Sequence, residues 1–493
     1  MLLQRIYEWA RSQPNKTAVI LDDVAINYAS FSRAIDAARR FLEPHALPAG
    51  RTAILLVHSP LDAWSLLLAL RSLGLNTICL YSVDHVPGLK LRNVAFVVVT
   101  QREATARKFE AKTLAGINVL TIPTAIYANI HIGELPLIDS NGAPFGGHII
   151  YSSGTTGSNN KLLLDSKFED RRNETRARIY SFSKDTITNE TSGLSQGTGA
   201  KSAPAVWHVG GCVVYDWRPD SAGDPIMGFS RIFRHGVNSL HITPNKLKEL
   251  IQSLNTSGPL DYDCELIIGG GFLSVTLAEE AIRRLTRRLV HTYGVSEMGA
   301  TPLLSRFTAT HDMHWLSPGD GRTIQIVDER GNECLEGELR IPLTDIDCTS
   351  YLDDPEASAK VFRGGFFYPG DMAVRRADGR IRILGRVDDV VNVQGGKFAV
   401  TPIEHEIQQL LGVDEVCLFS GLNAAGKEEL AVAIQSSRQL SRLEVEVVAR
   451  RCAPFETVRV TVFNEFPRTE TEARKTRRSV LKKLVFGETP LST

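Results

Sequence analysis

Tyr151-Ser152-Ser153-Gly154-Thr155-Thr156-Gly157-Ser158-Asn159-Asn160-Lys161 runs between two apolar blocks, His148-Ile149-Ile150 before it and Leu162-Leu163-Leu164 after it. The pattern predicts a short buried strand, a loop of small residues and a second strand. Small side chains let the backbone approach a ligand closely, and successive N–H groups make an anion-binding nest. Ser152, Ser153, Thr155 and Thr156 add hydroxyl donors, and Lys161 adds a point charge. These are the groups a polyphosphate needs; the competing reading is a polar linker rich in Ser, Thr and Gly. The loop is not of the G-x-x-x-x-G-K-[ST] type, because no glycine precedes the lysine and no Ser or Thr follows it.

With 493 residues the chain is long enough for more than one domain. A 43% hydrophobic and 23% charged composition argues against disorder, and a formal net charge of +0 implies no general attraction to nucleic acid or anionic lipid. The cysteines at 79, 212, 264, 334, 348, 417 and 452 form no C-x-x-C pair, so a reduced, cytoplasmic protein is expected. The opening Met1–Ala10 is amphipathic and lacks a secretory apolar region. The Asn-x-Ser/Thr triplets at 173, 189 and 255 are therefore read as chance. Apolar runs such as Ala53–Val57 are too short for a membrane span.

Outward from the loop, residues 4–42 predict helix, short hairpin and helix. Arg51–His58, Thr77–Leu80 and Ala95–Val99 predict strands, with a helix over Leu61–Leu73 that stops at Gly74. Strand alternating with helix predicts an α/β fold with parallel sheet. Residues 165–203 predict a charged surface helix followed by a Ser/Thr/Gly loop. Leu266-Ile267-Ile268 enters Gly269-Gly270-Gly271, and a helix over Leu277–Leu289 follows, with Arg283, Arg284, Arg287 and Arg288 on a solvated face. Short strands dominate 321–386, with a hairpin signal at Asp378-Gly379. Past Arg386 the texture becomes a small α+β unit, with a helix at Pro402–Leu411 and strands near 415–419, 430–434 and 458–463. The boundary is set at Asp388, giving domains 1–387 and 388–493.

The loop resembles the phosphate loop of the adenylate-forming superfamily, which includes acyl- and aryl-CoA synthetases, luciferases and the adenylation domains of peptide synthetases. The family pattern is Y/F-T-S-G-T-T-G-x-P-K-G. Ser153, Gly154, Thr155, Thr156 and Gly157 match it closely. The spacing to Lys161 is one residue longer, the proline is missing and Leu162 replaces the last glycine. Further stretches fit in the same order. Trp207-His208-Val209-Gly210-Gly211 resembles the family's aromatic–His pair with its glycine, which implies an acyl-pocket wall and a site role for His208. Gly269-Gly270-Gly271-Phe272 looks like the adenine-contacting turn. Tyr293-Gly294-Val295-Ser296-Glu297 resembles Y-G-x-T/S-E. It implies Tyr293 near adenine, Ser296 on a phosphate and Glu297 on Mg²⁺, a hard cation suited to carboxylate oxygens. Tyr368-Pro369-Gly370-Asp371 is similar to x-T-G-D, implying that Asp371 holds the ribose hydroxyls. Gly385-Arg386-Val387-Asp388-Asp389 matches G-R-x-D-D, implying Arg386 at ribose or phosphate and a hinge at Asp388. Gly395-Gly396 fits the glycine beside the thiol-donor tunnel. His311 and His314 are read as incidental.

The resemblance implies a large N-terminal adenylating domain, of α/β sheets plus a small β-rich lobe, and a small mobile α+β C-terminal domain. It implies ATP-dependent activation of a carboxylic acid to an acyl-adenylate, then transfer to a thiol. CoA is favoured over the phosphopantetheine of a carrier protein, because no carrier domain follows residue 493. An Asp for a substrate α-amino group is not found near 207. In the family a C-terminal lysine in P-R/K-T-x-x-G-K serves adenylation. Here Pro467-Arg468-Thr469-Glu470-Thr471-Glu472-Ala473 puts Ala473 in register, and Lys475 restores the lysine after a two-residue insertion; Arg474 is a further candidate. The alternatives are a stand-alone ligase loading a carrier protein, or a nucleotide- or acyl-binding homologue with impaired adenylation.

Overall fold

The computed structural model describes the chain apart from residues 83–85, 87–89, 107–112, 115, 137–144, 153–159, 220–224, 229, 255–261, 388–389, 394–395, 423–427, 437–438, 453–457, 469–475 and 487–493. By internal contacts the chain divides into two compact units. One comprises Met1–Thr323 with Pro342–Phe367, the other Ile324–Ile341 with Tyr368–Thr493. The strand-rich residues 324–341 and 368–386 thus cluster with the C-terminal residues in this division.

The first unit holds two sheets. In the seven-stranded one, Ile117–Ile122, Val94–Thr100, Thr52–Leu56, Asn76–Leu80 and His148–Ser152 run parallel in that order, and Asn160–Leu164 closes the edge as an antiparallel hairpin partner of His148–Ser152. Tyr151 faces Lys161 across that hairpin. These strands read as near-continuous Val/Ile/Leu runs because both faces are covered. The ten-stranded sheet has a parallel centre: Leu289–Tyr293, Glu265–Ile268, Ser239–Ile242, Ile187–Glu190, Cys212–Pro219 and Thr17–Leu21 lie side by side.

Helices Leu2–Ser12, Tyr28–Leu42 and Pro60–Ser72 bury Tyr7, Phe31 and Trp64 in one core with Trp207, which is fully buried. The Trp207 ring lies 5.0 Å from Trp64 at an interplanar angle of 89°, and its Nε1 donates to Ala18 O at 2.8 Å. A buried indole needs such an acceptor.

Residues 165–203 depart from expectation. The helix Glu169–Ile179 buries Glu169, Arg172, Asn173 and Arg176 rather than lying on the surface. The stretch expected to be a loop contains the strand Ile187–Glu190 and half of the helix Gly197–His208. The reason is that charged and small residues mark solvent exposure only when no partner covers them. Here the polar helix is covered by Pro60–Ser72 and Gly197–His208, with the small residues of the latter permitting close approach.

In the second unit Gln325–Val327, Glu336–Pro342, Asp371–Arg375 and Ile381–Arg386 form an antiparallel meander. The expected hairpin turns at Gly379, whose φ is +85°, with Asp378 Oδ1 accepting from Arg380 N at 3.1 Å. Glu415–Leu422, Glu428–Gln435 and Val458–Phe463 make a three-stranded sheet. Helices Val400–Leu411 and Arg442–Cys452 supply Ile407, Val445 and Ala449 to one core; Leu481 and Val485 of Arg478–Phe486 pack in another with Cys417 and Phe419. This is the α+β texture expected past residue 388. No helix among the described residues is long and apolar enough to cross a membrane.

Candidate active site

In the first unit the carboxyl ends of the parallel strands carry the chemistry-bearing stretches, as expected for ligand sites in α/β sheets. A chain of hydrogen bonds and close contacts joins them. Tyr151 N donates to Ser195 O at 2.8 Å, which ties the strand before residues 153–159 to the turn before the helix Gly197–His208. Gly197 lies against Ser296, so close that an added Cβ would sit 3.0 Å from Ser296 Oγ. From the same helix Lys201 Nζ donates to Ser296 O at 2.7 Å and to Met298 O at 2.8 Å, bracketing Glu297.

Glu297 is 6% exposed, and its Oε1 accepts from the Tyr351 hydroxyl at 2.9 Å. Cys348 N donates to Glu297 O at 2.9 Å, and Leu352 N donates to Lys161 O at 2.7 Å. The ring thus closes on the strand that leaves the loop. Burial lowers the Lys161 pKa, against the opposing pull of Asp353 and Asp354.

The segment that carries Tyr351 is itself anchored. Arg322 donates to both carboxylate oxygens of Asp347, at 2.8 and 3.0 Å, and Gly299 N donates to Asp347 Oδ1 at 2.8 Å. Burial raises the Asp347 pKa, but the Arg322 guanidinium and the Thr344 and Gly299 donors outweigh it and hold the carboxyl below its ordinary range.

Beside the ring, the glycine turn follows Glu265–Ile268. Gly270 has φ +78°, and a Cβ on Gly269 would lie 2.3 Å from Thr292 Oγ1, so neither position tolerates a side chain. Phe272, 39% exposed, lies 4.9 Å from the His314 ring, whose Nε2 donates to Leu273 O. Flat aromatic surface and open backbone at Gly271 and Gly294 are what a planar base stacks upon.

No family model matches the chain. Over 241 residues it is 30% identical to pseudomonine synthase PmsE of Pseudomonas entomophila, a match covering 46% of this chain and 37% of that one. Over 243 residues it is 24% identical to the human mitochondrial acyl-coenzyme A synthetase ACSM2B, covering 48% and 42%. The chain spans less than half the length of these curated relatives. Its structure resembles o-succinylbenzoate CoA synthetase of Bacillus subtilis, solved with its acyl-adenylate intermediate. That match has a TM-score of 0.78 and 18% identity over 98% of this chain and 97% of that one. The chain shares the fold of adenylate-forming enzymes and resembles members of that superfamily in sequence.

Against the superfamily's motifs, the structure brings Lys161, Gly270, Gly271, Phe272, Tyr293, Gly294, Ser296 and Glu297 to the carboxyl edges of the two sheets. It does not bring His208 there. His208 ends the helix that starts at Gly197, about 16 Å away at the usual rise per residue, and it precedes Cys212 at the amino edge of the sheet. Its Nδ1 lies 3.7 Å from Asp170 Oδ1, and its carbonyl accepts from Trp9 Nε1 at 3.4 Å. Burial lowers its pKa, with Asp170 opposing. Trp207 is likewise fully buried in the core, beside Trp64 and Phe31.

In the second unit Asp371 and Arg386 face each other across the antiparallel pair. Arg386 Nη1 donates to Pro369 O at 2.6 Å and lies 3.4 Å from Asp371 Oδ1. Ser153, Gly154, Thr155, Thr156, Gly157, Asp388, Gly395, Ala473, Arg474 and Lys475 lie outside the described residues. Lys201, Cys348 and Tyr351 were not singled out from sequence. No local motif marks them, and only the fold brings them to Glu297.

Proposed function

We propose that the chain is an AMP-forming ligase, activating a carboxylic acid with ATP and then passing the acyl group to a thiol, coenzyme A in the first instance. The observation that carries this reading is the ring of contacts through Lys161, Gly197, Lys201, Glu297 and Tyr351, which gathers the superfamily's motifs at one edge.

In the first half-reaction a carboxylate oxygen bonds to the α-phosphorus of ATP, and the bond from that phosphorus to pyrophosphate breaks. In the second, the thiol sulfur bonds to the acyl carbon and AMP leaves with the C–O electron pair. Both partners of the first step are anionic, so positioning and positive charge lower its barrier. The loop Ser153–Gly157 and Lys161 would hold the phosphates, with Ser296 as a further donor. Gly270, Gly271, Phe272, Tyr293 and Gly294 would hold adenine, and Asp371 and Arg386 the ribose. Glu297, its carboxylate oriented by Tyr351, has the oxygen donor that Mg²⁺ prefers, and phosphate oxygens commonly complete such a shell. Bound there, Mg²⁺ would offset phosphate charge.

Lys475 is the proposed mobile charge, on a C-terminal domain hinged at Asp388, with Gly395-Gly396 beside the pantetheine. On the described flanks of residues 469–475, Arg468 bridges Thr476, and Arg468 Nη1 donates to Thr476 Oγ1 at 2.7 Å.

Pyrophosphate release across a panel of carboxylic acids, followed by acyl-CoA formation, tests the reading. No release with any acid would overturn it in favour of a binding homologue. Acylation of a carrier protein without acyl-CoA would move the acceptor. Lys475→Ala should abolish adenylate formation yet spare thiol transfer from a supplied acyl-adenylate, with Arg474→Ala as control. Asp371→Ala should weaken ATP binding by about 1–3 kcal/mol.

A further inference from the structure

The buried helix Glu169–Ile179 meets Pro60–Ser72 and Gly197–His208 around an interior cavity of about 20 Å³. Every residue lining it is buried. Four cations line it, Arg71, Arg172, Arg176 and Lys201, against one carboxylate, Glu169.

That carboxylate is already engaged. Glu169 Oε1 pairs with Arg71 Nη1 at 2.8 Å, and Oε2 accepts from Leu2 N at 2.8 Å. The remaining cations donate to neutral acceptors: Arg172 to Asp165 O, Arg176 to Ser202 Oγ, and Lys201 to the Ser296 and Met298 carbonyls. Glu190 attracts Arg176 and Glu297 attracts Lys201 from beyond the cavity wall. Counting these and Asp165, which attracts Arg172, four cations meet four carboxylates, of which only Glu169 lies on the wall. His148, also on the wall, adds no positive charge, because its Nε2 donates to Leu194 O and burial pushes its pKa down to about 4.

Two donors at the cavity have no partner. Arg176 Nε and Asn173 Nδ2 are buried and unsatisfied, in side chains 5% and 4% exposed. Buried donors without partners are costly, and so is a wall whose cations outnumber its own carboxylate.

A water molecule would need acceptors for its own hydrogens. The described wall offers more donors than acceptors: its carboxylate is engaged, which leaves the Asn173 amide oxygen. The volume suits one occupant near the size of water, too small for sulfate or phosphate. We propose that this cavity binds one small monovalent inorganic anion, of the chloride class, between Asn173, Arg176 and the neighbouring cations. The site shares Lys201 with the ring around Glu297 but does not rest on the nucleotide chemistry.

The decisive experiment uses the full-length protein crystallised with sodium bromide, with diffraction recorded at the bromine edge. An anomalous peak within the cavity is expected. A cavity holding water alone, with no anomalous signal, overturns the proposal. In solution, the unfolding midpoint should rise saturably by a few degrees when chloride or bromide replaces gluconate at constant ionic strength. Arg176→Gln should lose that rise; an equal midpoint for wild type in chloride and gluconate speaks against the site. Should the variant fail to fold, the bromide map of the wild type decides.

Discussion

The two edges of the ten-stranded sheet carry residues of similar kinds to opposite ends. At the carboxyl edge, Tyr293–Glu297 emerges from a parallel strand into backbone that other segments hold by hydrogen bonds. At the amino edge, Trp207–Gly211 enters a parallel strand and is packed against the N-terminal helices. One helix, Gly197–His208, connects them: its first residue lies against Ser296, its last beside Asp170. An aromatic residue, a histidine and glycines are as suited to a binding pocket as to a core corner. Which edge they reach is what separates the two roles.

The sharpest way to break this comparison is Glu297→Gln. It removes the charge but keeps the shape, and adenylate formation should fall roughly 10²–10³-fold with the unfolding midpoint little changed. Unaltered pyrophosphate release would remove the carboxyl edge from the chemistry.

Next in size is an acid effect. Burial pushes the His241 pKa down to about 3, with Arg176 adding to the shift. The unfolded chain takes up that proton near pH 6.5 while the folded chain does not. Stability from this group is therefore fully present above about pH 6.5 and falls as pH drops toward 3, by roughly 2 kcal/mol at pH 5. His241→Asn should flatten that part of a denaturant-midpoint profile, whereas His208→Asn at the amino edge should alter it less.

Tyr351→Phe deletes one donor to Glu297. The Mg²⁺ concentration for half-maximal pyrophosphate release should rise roughly 10-fold, as for other residues that orient a metal-binding side chain. An unchanged Mg²⁺ requirement would mean that Tyr351 only packs.

The smallest effect belongs to His208→Ala. Pyrophosphate release should stay within about twofold, with a stability loss on the order of 1 kcal/mol. A larger catalytic loss would return His208 to the site.

Most strands and helices of the first unit were legible, because Val/Ile/Leu runs and helical spacing encode which faces are covered. The hairpin at Asp378-Gly379 and the glycine turn were legible for the same reason: each is a local pattern. Residues 165–203 were not. Arg172 and Arg176 look like solvent-facing charges until Pro60–Ser72 and Gly197–His208 cover them. Lys201 looks like any surface lysine until its ammonium meets the two carbonyls flanking Glu297.

The sequence by itself determined the α/β class, the order of the phosphate, adenine and acidic stretches, and the identities of Lys161, Glu297, Asp371 and Arg386 as candidates. Local chemistry suffices there, since strand period, positive-φ glycines and short motifs act over a few residues. Tertiary structure alone decided that His208 lies at the far edge, that Tyr351 and Lys201 serve Glu297, and that four cations surround one cavity. Those facts depend on contacts between residues tens to hundreds of positions apart, and such contacts exist only once the sheets and helices have packed.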